Sequence, residues 1–399
     1  MNIVTKKIIA FNSSRDPELV KIKYGLISTD VFRFYRGTCH LFYEALAKNT
    51  GWRDDTKCWI TGDLHLENFG TYKGDNRVVY FDMNDFDEAL LAPASWEVCR
   101  LLTSIHLAAH VLGFNQQLAE SLCHIYIDAY INVLLTGKPV VIEKETATGL
   151  LETFLKQVQQ RQQKQFIQSK IVYTGGQWKI LADKKKMLPC PAEQQQQVAT
   201  ALNNWLHTHL PQQQLTVKHV CYRIAGTGSV GIQRYAALVE DKTLGRFHLI
   251  DVKEATPSSL MRYTVYKQPK WNNEAERIVT LQKRVQHVSP AFLHTLIINK
   301  TSFVVKELQP SQDRMDLALC KGKKNRLAGI LITMAQVTAS GQLRSGGRQK
   351  SSIADDMIAF ANNSLQWKKP LLDYAKKYAG QTMKDHTNYT ADYKAGKVT

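Results

Sequence analysis

Residues 58–70 read CWITGDLHLENFG and residues 78–88 read VVYFDMNDFDE; with GTGSVG at 226–231 and DVKEA at 251–255 they decide how the rest is read. Asp63 follows the strand-like Cys58-Trp59-Ile60, and Asn68 stands five positions on. Two short β-prone runs meet at Lys73-Gly74-Asp75-Asn76, a hairpin signal, and such a hairpin returns Asp82 to the side of Asn68. In phosphoryl transfer a loop aspartate orients and deprotonates the acceptor hydroxyl, while an amide oxygen and a second carboxylate hold Mg2+ between nucleotide phosphates. Asp63, Asn68 and Asp82 suit that division of labour better than plain turn chemistry. Asp85 is balanced between site and turn, and Asp87 and Glu88 read as solvated or capping residues. His65 either touches a phosphate or holds its loop. His106 and His110, one helical turn apart, read as packed histidines before metal ligands.

The glycine string Gly226-Thr227-Gly228-Ser229-Val230-Gly231 is weak evidence alone. A dinucleotide fold needs a helix directly after it, and β-prone IQRYAALVE follows instead. A Walker A loop needs Lys-Ser/Thr after the last glycine, where Ile232 and Gln233 stand. What remains is strand, glycine loop, strand, a turn at Lys242-Thr243-Leu244-Gly245, and a strand carrying Lys253. That order covers ATP in kinase-type folds: Gly226, Gly228, Ser229 and Gly231 let amides approach the phosphates, and the lysine reaches them. Glu276, before Glu274, is the expected carboxylate partner of Lys253. The plain alternative is a glycine-rich hairpin with a surface lysine.

The chain has 399 residues, 44% hydrophobic and 22% charged, enough for two or three lobes with a real core and incompatible with a wholly disordered chain. Seven scattered cysteines form no CxxC motif and read as reduced thiols. No secretory h-region and no long uninterrupted apolar run is present, so a soluble, cytoplasmic protein is expected. A net charge of +17 favours anionic partners; it permits nucleic acid, which the motifs do not favour over a nucleotide.

Four segments follow. Residues 1–142 hold an arm without clear period over 1–30, a helix over 32–47, the aspartate loop, its hairpin, and helices over 96–112 and 118–135. Residues 143–215, with QVQQRQQKQ and EQQQQ, read as an exposed helical connection. Residues 216–310 carry five strands and a helix over 273–288, a small antiparallel sheet lobe. Residues 311–399 are helical by period and end in a polar, lysine-rich tail.

GDLHLEN followed by FDMND resembles the catalytic segment of aminoglycoside phosphotransferases and choline kinases. The resemblance implies Asp63 as catalytic base with His65 beside it, Asn68 and Asp82 as metal ligands and Asp85 as the second acidic position. That family's histidine before the catalytic aspartate is Thr61 here. Over most of its length the sequence is closer still to a bacterial domain-of-unknown-function family marked by FRFYRG, GDLHLENFG, FDMNDFDEA, GTGSVG and VKEA. Because Lys253 comes long after Asp63, the kinase-like order is inverted. The fold expected is therefore α+β, a two-lobed, circularly permuted protein-kinase-like architecture with TSFVVKEL as hinge. Arg36 either reaches the site or anchors its helix. The function expected is ATP- and Mg2+-dependent phosphotransfer to an unidentified hydroxyl acceptor, a small molecule before a protein. AMP transfer on the same fold and a catalytically inactive nucleotide-binding interaction protein are the alternatives. A metallophosphoesterase would need GDxxD and GNH motifs, which are absent.

Overall fold

Asn2 accepts the Val4 amide and Asp16 those of Glu18 and Leu19, and these two caps start α1 (Ile3–Asn12) and α2 (Pro17–Thr29) in the stretch that read as an arm. The computed structural model describes residues 1–48, 51–160, 163–183, 186–310 and 317–398, an α+β molecule with antiparallel sheets. The helix expected over 32–47 is two, α3 (Val31–Gly37) and α4 (Cys39–Leu46), broken at Thr38. Gly37 sits at the break because a Cβ there would lie 2.4 Å from Ile27 Cγ2.

Next come β1 (Cys58–Ile60), the hairpin of β2 (Phe69–Lys73) and β3 (Val79–Met83), and β4 (Leu90–Ala92). β1 pairs antiparallel with β4, which ties both ends of the quoted stretch together. Helices α5 (Ala94–Val111) and α6 (Gln116–Thr136) match the apolar period; Gly113 separates them, and Gly137 ends α6 in the left-handed conformation. By length and composition α6 is the one described helix apolar enough to cross a membrane, yet Leu122, Tyr126 and Tyr130 are fully buried inside the molecule.

The segment expected as a helical connection contains α7 (Gly149–Gln160), α8 (Gln163–Gln168), a hairpin of β5 (Ile171–Thr174) and β6 (Gln177–Ile180), the short β7 (Met187–Leu188) and α9 (Ala192–His209). Part of QVQQRQQKQ lies outside the described residues. The segment does not merely connect. It supplies cover for the sheet of β7, β8 (Leu215–Arg223), β9 (Arg234–Asp241), β10 (Arg246–Glu254), β11 (His294–Ile298) and β12 (Thr301–Glu307), ordered β11-β12-β10-β9-β8-β7. Val198, Leu202 and Leu206 of α9 pack on one face with Ile250 and Val252; Ile167, Ile171 and Ile180 pack on the other with Leu249. The period of two therefore puts Leu249, Asp251 and Lys253 of β10 on one face. All five expected strands are present, β7 adds a sixth, and α10 (Glu274–Val285) follows β10 as the period required.

The 310/311 boundary adjoins 311–316, which lie outside the described residues. Beyond it, α11 (Lys324–Ser345), α12 (Ala354–Asn362) and α13 (Ser364–Lys394) complete the main helical core. The lysine-rich tail is the second half of α13, where Asp392 accepts from the Asn2 amide (2.6 Å) and the Thr5 hydroxyl (2.8 Å). The seven cysteines are all buried.

Candidate active site

Gly62 introduces the aspartate loop at φ +84°, and a Cβ there would lie 2.4 Å from the Glu88 carbonyl oxygen. Tyr43 donates its hydroxyl to the Gly62 carbonyl. Thr61 donates its amide (2.6 Å) and hydroxyl (2.5 Å) to the buried Glu97 carboxylate, so a carboxylate on α5 steadies the loop. From the same helix the fully buried Arg100 donates Nε (2.8 Å) and Nη2 (2.5 Å) to one oxygen, Oδ1, of Asp63. The Arg100 guanidinium lies 4.2 Å from the centre of the Tyr35 ring and 5.2 Å from that of Phe42. His65 is buried, and its Nδ1 accepts the Glu67 amide at 3.1 Å, capping a short 3-10 turn over Leu66–Asn68. That contact holds the loop, and His65 also lines the cleft that contains Asp63 and Asn68. Asn68 Nδ2 donates to the Asp63 carbonyl (2.5 Å), which fixes the amide against the loop.

The strand-borne carboxylate is where the expectation needs correcting. Asp82 pairs with Gly70 across the hairpin, is buried, and accepts the Met83 amide at 2.8 Å, with Arg344 Nη2 at 3.6 Å. It does not line the cleft that contains Asp63 and Asn68; Asp85 does. Pairing within β3 sends the Asp82 side chain toward α11, whereas Asp85 lies beyond the end of that strand in a loop. The cleft therefore offers Asn68 and Asp85, not Asn68 and Asp82, as neighbouring hard oxygen donors.

Gly226, Gly228 and Ser229 line the same cleft from the loop between β8 and β9, with Gly226 at φ +77°. Gly231 turns at φ +97°, and its carbonyl accepts the Asp16 amide at 3.0 Å. Lys253 forms an ion pair with Asp87 and lies 3.9 Å from Asp85 Oδ1; Ser229 Oγ donates to Asp87 Oδ2 at 3.3 Å. A carboxylate thus sits between the glycine loop and the lysine. Glu276 does not hold Lys253. Asn273 caps α10 by accepting the Glu276 amide, and Glu276 reaches back to the Asn272 amide at 2.6 Å, a first-turn capping role. Glu274 pairs with Arg277. The α10 residue that does reach the site is Arg277, fully buried, donating to the carbonyls of Asp87 (2.9 Å), Ala89 (2.5 Å) and Thr256 (2.9 Å). Glu88 is held by Ser258 and Ser259 just beyond β10.

The N-terminal helices and the turn between α1 and α2 close the cleft with Phe11, Arg15, Lys23, Arg36 and Cys39. Arg36 therefore reaches the site, ion-paired with Glu67. Arg15, Lys23, Arg100 and Arg277 were missed because nothing local distinguishes them from surface cations; only their burial does. A signal did exist for Asp87, since the acidic run NDFDE places carboxylates at 85, 87 and 88. His106 is buried 3.5 Å from Cys123 Sγ and His110 is exposed, so the pair makes no metal site.

Electrostatics separate Asp63 from Asp85. Burial raises the Asp63 carboxyl above its ordinary range; Arg100 opposes this and Asp85 adds to it. For Asp85, burial is outweighed by Lys253 and then Lys306, which leave it below the ordinary range and ionised. Among the described residues no three His, Cys, Asp or Glu side chains are arranged to hold a metal ion. Mg2+ needs no such cage, because it keeps waters and takes one or two protein oxygens plus phosphates. An amide oxygen and an ionised carboxylate at Asn68 and Asp85 fit an ion that arrives with a nucleotide.

The chain matches, over residues 15–392, the model of the family described as "Uncharacterized protein conserved in bacteria (DUF2252)", and it belongs to that family. No curated protein and no solved structure matches it.

Proposed function

We propose that this member of an uncharacterised bacterial family is an ATP- and Mg2+-dependent phosphotransferase acting on a hydroxyl-bearing acceptor, a small molecule rather than a protein. The observation that carries the reading is that the glycine loop at 226–229, the loop bearing Asp63 and Asn68, and the loop after β3 bearing Asp85 line one cleft, although the first is far from the other two in sequence. Strand, glycine loop, strand and lysine strand, then a helix and two more strands, supports a kinase-like sheet lobe in permuted order.

In this reading the amides of the glycine loop and the Lys253 ammonium receive the phosphates, and Asp87 gives up its hold on Lys253 and Ser229 as they enter. Asn68 and Asp85 would hold an Mg2+ ion, which would supply charge to offset that of the phosphates. Asp63 orients the acceptor hydroxyl and takes its proton. Arg100, bonded to Oδ1, fixes the direction of the carboxylate. Positioning and charge neutralisation supply most of the catalysis in such a reaction, so a base paired with arginine is adequate.

The test is ATP consumption with Mg2+ over a panel of hydroxyl compounds, with products weighed by mass spectrometry. A phosphate increment supports the reading, and an AMP increment replaces it with nucleotidyl transfer. Asp63→Asn is expected to abolish turnover and keep the thermal shift produced by ATP. Turnover that survives in Asp63→Asn, or a wild type that neither binds nor uses ATP, overturns the proposal.

A further inference from the structure

Arg15 in the turn between α1 and α2, Lys23 of α2 and Arg36 of α3 stand in the wall of the cleft with less counter-charge than burial demands. Lys23 has no exposed surface, and its Nζ donates to two neutral oxygens, Asn12 Oδ1 (2.9 Å) and the Gly228 carbonyl (3.1 Å). Arg15 Nη1 likewise donates to the carbonyls of Gly228 (2.6 Å) and Val230 (2.8 Å). Among the described residues no carboxylate forms an ion pair with either. The Phe11 ring lies 5.6 Å from the Arg15 guanidinium and 5.8 Å from the Lys23 ammonium, a partial compensation only. Arg36 spends Nη1 on Glu67, while its Nε is buried without a hydrogen-bond partner. Removing cations from water without anions to meet them is costly, and a fold keeps such an arrangement where a ligand brings the missing charge.

Their position says which ligand. Glu67, the partner of Arg36, adjoins Asn68, and both Arg36 and Lys23 act on the charge of Asp63. Lys253, in contrast, is tied to Asp87 and Asp85. Arg36 therefore stands beside the Asp63 loop, and Arg15 and Lys23 join it from the glycine loop, whose Gly228 lies against the Arg36 backbone.

We propose that Arg15, Lys23 and Arg36 form an anion subsite for the acceptor itself, so that the acceptor is a small hydroxyl compound bearing a phosphate or carboxylate, its anion on the arm and its hydroxyl on Asp63. This rests on the phosphotransfer reading for the role of the hydroxyl; the anion subsite itself can be read without turnover.

Two measurements on the full-length protein separate the claims. In the first, inorganic phosphate is titrated calorimetrically with no nucleotide present; the wild type is expected to bind it, and Arg36→Met and Lys23→Met to bind it about 30-fold more weakly or worse. In the second, ATP turnover compares glycerol 3-phosphate and glycerate with glycerol. The anionic compounds are expected to be used and glycerol not, with Arg36→Met raising KM for the anionic acceptor and leaving KM for ATP within about twofold. A rise in KM for ATP instead assigns the cations to the nucleotide and overturns the proposal, as does preference for glycerol or phosphate binding indifferent to both variants. Phosphate binding that weakens in the variants, with no ATP use by any of them, keeps the subsite and sinks phosphotransfer. Should Lys23→Met fail to fold, Arg36→Met carries both measurements, and Arg36→Lys, which keeps the charge, is expected to retain part of the binding.

Discussion

At the scale of single residues, Gly62 shows how a motif letter becomes a physical constraint. Its positive φ and the 2.4 Å approach that a side-chain methyl would make to the Glu88 carbonyl are separate penalties. Gly113 carries only the first, at φ +74° with nothing within 4 Å. Gly113→Ala is therefore expected to cost about 1 kcal/mol, and Gly62→Ala about 3 kcal/mol or more, in urea unfolding; equal costs would show that the contact yields freely. Asp82 teaches the opposite lesson. Its strand position was legible, but the direction of its side chain was not, because Asp82 and Asp85 differ by where β3 ends, and a strand end is set by pairing across the hairpin. Burial lifts the Asp82 carboxyl to about 6, with Arg344 and the Met83 amide pulling the other way. A carboxyl that holds its proton more tightly when folded makes stability fall as pH rises from about 4 to about 6, and the loss is complete above that window. Asp82→Asn has no such dependence. Unfolding free energies measured across the window should move in favour of the variant as pH rises, and a difference that does not change with pH would show that Asp82 does not titrate there.

At the scale of elements, the sheet was legible because strand residues alternate and glycine turns punctuate them: β8, β9, β10, β11 and β12 all lie where their runs placed them. The first two helices were not legible. Their apolar residues serve a small separate core with α13, in which Ile8, Val20, Tyr24 and Ile27 meet Tyr389, and no local period announces a partner at the far end of the chain. The hairpin of β5 and β6 had its signal in Gly175-Gly176, masked by the glutamine-rich composition around it. Helix α10 was found, but its working residue was misassigned. Glu276 falls in the first turn, where a carboxylate satisfies free amides, and Arg277, one position on, faces the acidic loop. Glu276→Gln is expected to cost less than about 1 kcal/mol and leave ATP affinity unchanged. Arg277→Gln removes charged hydrogen bonds to three carbonyls, one of them fully buried, so a loss of about 3 kcal/mol or more is expected, together with weaker ATP binding as the Asp87 loop loosens. Thermal unfolding with and without ATP checks both, and an Arg277→Gln protein as stable as wild type would remove α10 from the site.

At the scale of the whole molecule, the order of segments matters less than where their ends meet. The amino group of Met1 lies 3.9 Å from Asp392, and Lys397 lies 3.5 Å from the same carboxylate, so the two described ends of the chain are neighbours. The exit from α6 at Gly137-Lys138-Pro139 is largely exposed and precedes the segment that covers the sheet. Joining the ends through a glycine-serine linker and opening the chain between Lys138 and Pro139 yields a protein in which the glycine loop and Lys253 precede Asp63, the usual kinase order. Packed cores depend on which surfaces meet, and a surface connection can be cut where few contacts cross it. The rearranged chain is therefore expected to unfold in one transition within a few degrees of the parent and to keep the same response to ATP. Two separate transitions, or loss of the ATP response in a chain that still folds, would mean that the native order of segments and the anchored start of α1 are needed to hold the cleft together. That outcome would count against reading the molecule as two lobes whose connections have been exchanged.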